Sequence, residues 1–66
     1  MHLVVNGDDT EHTGDGSLDA LLREMGASGR PVAVLVNGEV IREPIRKSVV
    51  LRDGDVVEII GFAGGG

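Results

Sequence analysis

Three dipeptides, Asn6-Gly7, Asn37-Gly38 and Asp53-Gly54, do most to limit what this chain can fold into. Asn, Asp and Gly tolerate positive φ, so such pairs close tight turns beside strands. His2-Leu3-Val4-Val5 reads as a short strand ending at Asn6-Gly7-Asp8-Asp9, with residues 10–13 returning as a polar edge strand. Val32-Ala33-Val34-Leu35-Val36 is apolar at every position, the pattern of a strand covered on both faces or awaiting a partner on one. Asn37-Gly38 turns it back into Glu39-Val40-Ile41, and 55–60 form the last strand after Asp53-Gly54. Segment 42–51 is irregular: Pro44 interrupts any strand, so a loop or one helical turn must bring Ile45, Val49, Val50 and Leu51 to the core.

Between the two turn-linked pairs lies a single helical pattern. Leu18, Leu21, Leu22 and Met25 fall at i, i+3, i+4 and i+7, one apolar stripe over two to three turns. Ser17 suits the N-cap, Asp19 suits the positive end of the helix dipole, and Gly26 suits the C-terminal stop. One helix of this length covers one face of one small sheet. The expectation is an α+β domain with about five strands, one helix, and a sheet face left open.

Size and charge narrow the function. A chain of 66 residues is one domain, and at that size folding buries only about 60% of the unfolded surface. With no cysteine there is neither disulfide nor thiolate, and the core must be aliphatic, since Phe62 is the only aromatic. The net charge of −5 is local: residues 1–29 carry six carboxylates against Arg23 alone, whereas 30–66 balance five against five. An acidic chain without clustered cations or stacking aromatics is a poor nucleic-acid binder. The acidic half reads as a solvated face or as steering toward a basic partner. No apolar run approaches the ~20 residues of a membrane span, and no signal-peptide pattern opens the chain. A cytoplasmic location is therefore expected.

Catalysis is hard to place. Ser17, Ser28 and Ser48 lack an activating motif, and Lys47 stands in a polar stretch. His2 and His12 would face each other across the first strand pair, yet two ligands without a third make no strong metal site. Asp8-Asp9 and Asp53-x-Asp55 flank turn glycines, and turn chemistry accounts for them. Gly14-x-Gly16 lacks the remaining spacing of a phosphate loop. No cofactor or metal site is expected, and the chain reads as a non-enzyme.

The terminus is different. Gly61 and Phe62 finish the apolar last strand, Ala63 leads into Gly64, Gly65 and Gly66, and consecutive glycines are costly to order and pack nothing. From composition alone an inert tail or linker competes with a working one. A glycine tail is the thinnest peptide available, and four extended residues reach about 14 Å. That span can carry a terminal carboxylate into another protein's active site, where ATP could activate it as an acyl-adenylate.

Taken together, Val4-Val5-Asn6, the Leu21-Leu22 helix, Val34-Leu35-Val36-Asn37-Gly38, Asp53-Gly54-Asp55-Val56-Val57-Glu58 and the tail resemble the β-grasp, ubiquitin-like sulfur carriers. The nearest likeness is to the ThiS family of thiamine thiazole biosynthesis, with MoaD-like molybdopterin carriers as near relatives. The resemblance implies a mixed sheet with first and last strands adjacent at its centre, a β-grasp domain over 1–62 and a flexible tail over 63–66. It implies that the Gly66 carboxylate is adenylated by a ThiF-like enzyme using ATP, then becomes a thiocarboxylate with sulfur from a cysteine desulfurase or other persulfide donor. Gly64 and Gly65 would enter the partner's active site, Phe62 and Ala63 would dock beside it, and thiazole synthase would take the sulfur. Ordinary core packing stays open for Phe62. The third glycine departs from the family's Gly-Gly ending. An inert interaction module and an isopeptide-forming protein modifier remain alternatives.

Overall fold

The computed structural model describes residues 1–61. Five strands, β1 (His2–Val5), β2 (Asp8–Glu11), β3 (Val32–Val36), β4 (Glu39–Val40) and β5 (Val56–Gly61), form one mixed sheet in the order β2-β1-β5-β3-β4. β1 and β5 run parallel, with Val4 opposite Val56 and Val5 opposite Val57, and every other pairing is antiparallel. One helix, α1 (Leu18–Glu24), covers one face of the sheet. A 3₁₀ segment, Glu43–Ser48, with Pro44 in its first turn, lies against α1 and carries the chain from β4 back toward β5. This is the expected α+β arrangement, with the first and last strands side by side at the centre.

The core is the aliphatic layer between α1 and the sheet: Leu3, Val5, Leu18, Leu21, Leu22, Val34, Leu51 and Val57 are buried, and Ile59, Val32 and Val36 pack against them. Strand alternation decides which side chains take part. Leu3 and Val5 of β1 point toward α1, as do Val57 and Ile59 of β5.

The termini of α1 follow their local chemistry. The Ser17 hydroxyl accepts a hydrogen bond from the Ala20 N–H at 3.0 Å and donates one to Asp15 Oδ1 at 2.7 Å. At the other end Gly26, at φ 72°, donates to the Arg23 carbonyl while Ala27 donates to that of Leu22. This 5→2 and 6→1 pair terminates the helix at a residue that needs positive φ. Both caps were expected.

Four expectations fail. Met25 is the C-cap rather than part of the helix and is half exposed; after the left-handed turn at Gly26 it is Ala27 that packs into the core. Of the four aliphatic residues in 42–51, Leu51 is buried and Val49 packs on the core, but Ile45 and Val50 face solvent. The 3₁₀ segment buries no residue: side chains three apart eclipse there, which aligns Ile45 with Ser48 and leaves no apolar stripe. Strand β2 starts at Asp8, directly after the turn, rather than at Thr10. Finally, the two histidines lie on opposite faces of the hairpin. His2 pairs with Glu11 and stays exposed, while His12 continues the inward parity of Thr10 and is 2% exposed.

Candidate functional site

The descending logic of the sheet converges on β5. It is the central strand, held on one side by β1 and on the other by all five residues of β3, and its pairing continues to the last described residue, Gly61, opposite Val32. Two turn asparagines fasten it further. Asn37, at φ 51°, accepts from the Val56 N–H through its side-chain oxygen at 2.9 Å and donates from its own backbone N–H to the Val56 carbonyl at 2.7 Å. Asn6, also at φ 51°, accepts from the Ile59 N–H at 2.8 Å, so its side chain prolongs the β1–β5 ladder after β1 has ended. Sequence reading assigned both asparagines to turn geometry and missed this second role. The available signal was that Asn, the only positive-φ residue with an amide to offer, precedes both turn glycines.

Alternation gives β5 two faces. Val57 and Ile59 enter the core, while Val56, Glu58 and Ile60 stand on the face away from α1. Registered beside them are Val4 next to Val56, Leu35 next to Glu58 and Val40, and Ala33 next to Ile60. The result is an apolar surface around Glu58, bordered by Asp9 opposite Val4, on which Val40 is 63% and Ile60 51% exposed. An apolar surface of this kind marks an interaction site more often than a catalytic one. Gly61 pairs in register opposite Val32 without a bulge, and a Cβ there would meet none of the described atoms of this chain within 4 Å.

Among the described residues no group of three or more His, Asp or Glu is placed to hold a metal ion. The paired aspartates are engaged in loops: Asp53 accepts the His2 N–H at 2.6 Å, and Asp55 accepts from the Arg52 N–H and the Asn37 amide. Asp15 has its pKa lowered, first by the Ser17 hydroxyl and then by the Ser17 N–H, both bonded to its carboxylate. The buried His12 accepts the Gly16 N–H at Nε2, 3.2 Å away. Its Nδ1 lies 2.8 Å from Glu24 Oε2 but is not aligned for a hydrogen bond. All of this is loop scaffolding. The residues expected to carry the chemistry, Phe62, Ala63, Gly64, Gly65 and Gly66, lie outside the described residues.

A helix-covered mixed sheet with parallel first and last strands at its centre, leading into a glycine-rich end, defines the ubiquitin-like β-grasp class. The profile of the ThiS family matches residues 3–66, and the chain belongs to that family of small sulfur carriers of thiamine biosynthesis. The crystal structure of the thiamine biosynthesis protein ThiS from Geobacter metallireducens superimposes with a TM-score of 0.81 at 33% identity, covering all of both chains. A solution structure of a thiamine biosynthesis protein from the same organism gives 0.79 at 35% identity, over all of this chain and 88% of that one. The chain is also 39% identical over its 66 residues to a thiazole synthase of Paramagnetospirillum magneticum, of whose length it spans 20%. No helix among the described residues is long and apolar enough to cross a membrane.

Proposed function

We propose that this chain is a protein co-substrate whose reactive group is the Gly66 carboxylate. A carboxylate is a poor electrophile, so it must first be activated. One of its oxygens attacks the α-phosphorus of ATP on a ThiF-like adenylating enzyme, and pyrophosphate leaves. A persulfide of a cysteine desulfurase then attacks the acyl carbon, and AMP departs. Reduction of the resulting acyl disulfide by a thiol frees the thiocarboxylate and leaves the sulfur donor oxidised. The thiocarboxylate, softer and more nucleophilic than the acid, passes its sulfur to thiazole synthase.

In this reading the domain presents and the partners catalyse. Gly64 and Gly65 thread the partner's channel, Phe62 and Ala63 dock at its mouth, and the open face around Val40, Val56 and Ile60 supplies docking area. ATP and the sulfur donor belong to the partners, and the reaction is cytoplasmic. The observation that carries the reading is that the ThiS match runs through residue 66, directly continuing the central strand. The similarity to a thiazole synthase supports that enzyme as the acceptor partner.

The test is an intact-mass measurement after incubation with ATP, the adenylating enzyme and a persulfide donor. Exchange of one oxygen for sulfur is expected, and none when Gly66 is deleted. An unchanged mass with enzymes active on a control carrier overturns the proposal, and so does sulfur uptake by the truncated chain.

A further inference from the structure

The chain is acidic, yet four of its six cations gather at one end of the sheet. β3 and β5 are antiparallel, so the start of β3 lies beside the end of β5, with Val32 opposite Gly61. Arg30 stands two residues before Val32 and is exposed. β4 returns toward the same end, where the Ile41 N–H bonds the Val34 carbonyl, and Arg42 follows. Arg46 of the 3₁₀ segment closes the cluster, its guanidinium donating to the carbonyls of Val32 at 2.9 Å and Ile41 at 3.3 Å. Lys47 shares with Arg30 and Arg46 the wall of a groove of about 490 Å³ between α1 and the 3₁₀ segment. Among the described residues none of these four cations is in an ion pair. Of the two groove carboxylates, Asp19 is already paired with Arg23, which leaves Glu43.

We infer that Arg30, Arg42 and Lys47 form a basic collar at the root of the glycine tail that docks on an acidic rim around the partner's tail channel. The inference rests on the proposed function and adds where the partner sits and what charge it bears. Five residues beyond Gly61 reach at most about 18 Å. A partner that holds the end of the tail must therefore lie close against the surface from which β5 emerges, and that surface is where the collar stands. The cations are exposed and carried by three separate segments, with Glu43 among them, which suits a broad protein surface rather than a small anion. Arg46 belongs to the scaffold, because its guanidinium is spent on two backbone carbonyls. Exposed charges at the edge of an interface act mainly on the association rate, and salt suppresses their effect.

The experiment compares association rates of the cognate adenylating enzyme, by surface plasmon resonance, with the wild-type chain, Lys47→Glu and Arg52→Glu. The two variants change the net charge equally, and Arg52 stands just before the start of β5, at the opposite end of that strand from the collar. At low salt the collar variant is expected to associate about five-fold more slowly, against less than two-fold for the control, with the gap closing near 1 M salt. Equal slowing of the two variants, or a collar defect that persists at high salt, overturns the inference. Tight binding of wild type without charge discrimination removes the collar alone. Failure of the wild type to bind an enzyme active on another carrier removes the functional reading and the collar with it.

Discussion

Substituting Gly14 by alanine tests the most tightly packed of the described glycines. A Cβ at position 14 would lie 2.6 Å from His12 Cε1, 3.0 Å from His12 Nε2 and 3.0 Å from Glu24 Oε2. Gly14 is not at positive φ, so its backbone accepts alanine and the clash alone sets the cost. The imidazole cannot swing away. It is fully enclosed, with Nε2 held by the Gly16 N–H. Overpacking of this kind costs about 1–3 kcal/mol, against a total stability of roughly 3–10 kcal/mol for a domain this size. At about 4–8 °C per kcal/mol for so small a domain, Tm should fall by roughly 5–20 °C. Thermal melting followed by far-UV circular dichroism measures it. The decisive arm is the same substitution made in His12→Ala, with sulfate added to keep all variants folded. Once the imidazole is gone only the Glu24 carboxylate still crowds the methyl group, and as the end of a flexible, part-exposed side chain it can shift aside. Gly→Ala at a compatible φ then stabilises by about 0.4–1 kcal/mol through the unfolded chain. The effect should therefore change sign between the two backgrounds. Equal costs in both, or an unchanged Tm in the single variant, refute the reasoning.

Asn37→Ala should lower the urea midpoint by more than Asn37→Gly. Both lose the acceptor for the Val56 N–H, but only alanine adds left-handed strain of about 1–2 kcal/mol at φ 51°; equal midpoints would remove the strain from the account. Asp15→Asn should flatten the acid limb of the Tm–pH curve. Folding lowers the Asp15 pKa below 3.8, so its stabilisation is complete above that value and drains away as the pH falls through the lower folded value. An unchanged limb in the variant would show that the Ser17 bonds persist on protonation. Ile60→Asp should leave the melting temperature nearly unchanged yet weaken capture by thiazole synthase, whereas Ile59→Asp, which buries a charge beside the core, should unfold the chain. Full capture of the Ile60→Asp variant in a pull-down would take the open face out of the docking surface.

The parts of this fold legible in the sequence are those written in local chemistry. The Asn-Gly pairs, the Ser17 cap and the Gly26 stop each require a backbone conformation that their own side chains dictate, and all three appear in place. Faces and neighbours are a different kind of information, because they depend on register. His12 sits in the polar run Asp8-Asp9-Thr10-Glu11, with nothing in its vicinity to suggest burial. It becomes a core residue because Leu3 lies opposite Thr10, which fixes the parity of every later position in that strand. The parallel pairing of β1 with β5 likewise joins segments some fifty residues apart, and only the family resemblance anticipated it. The same distinction applies to the working strand. Apolar residues at Val56, Val57, Ile59 and Ile60 announce a strand wanted on both faces, but only the sheet order says which face α1 takes. With Val57 and Ile59 committed to the core, Val56 and Ile60 stand beside Val4 and Ala33 on the other face and stay about half exposed. Under the proposed function that half-exposed pair on the open side of the central strand is docking area, which is why Ile60→Asp is set against Ile59→Asp.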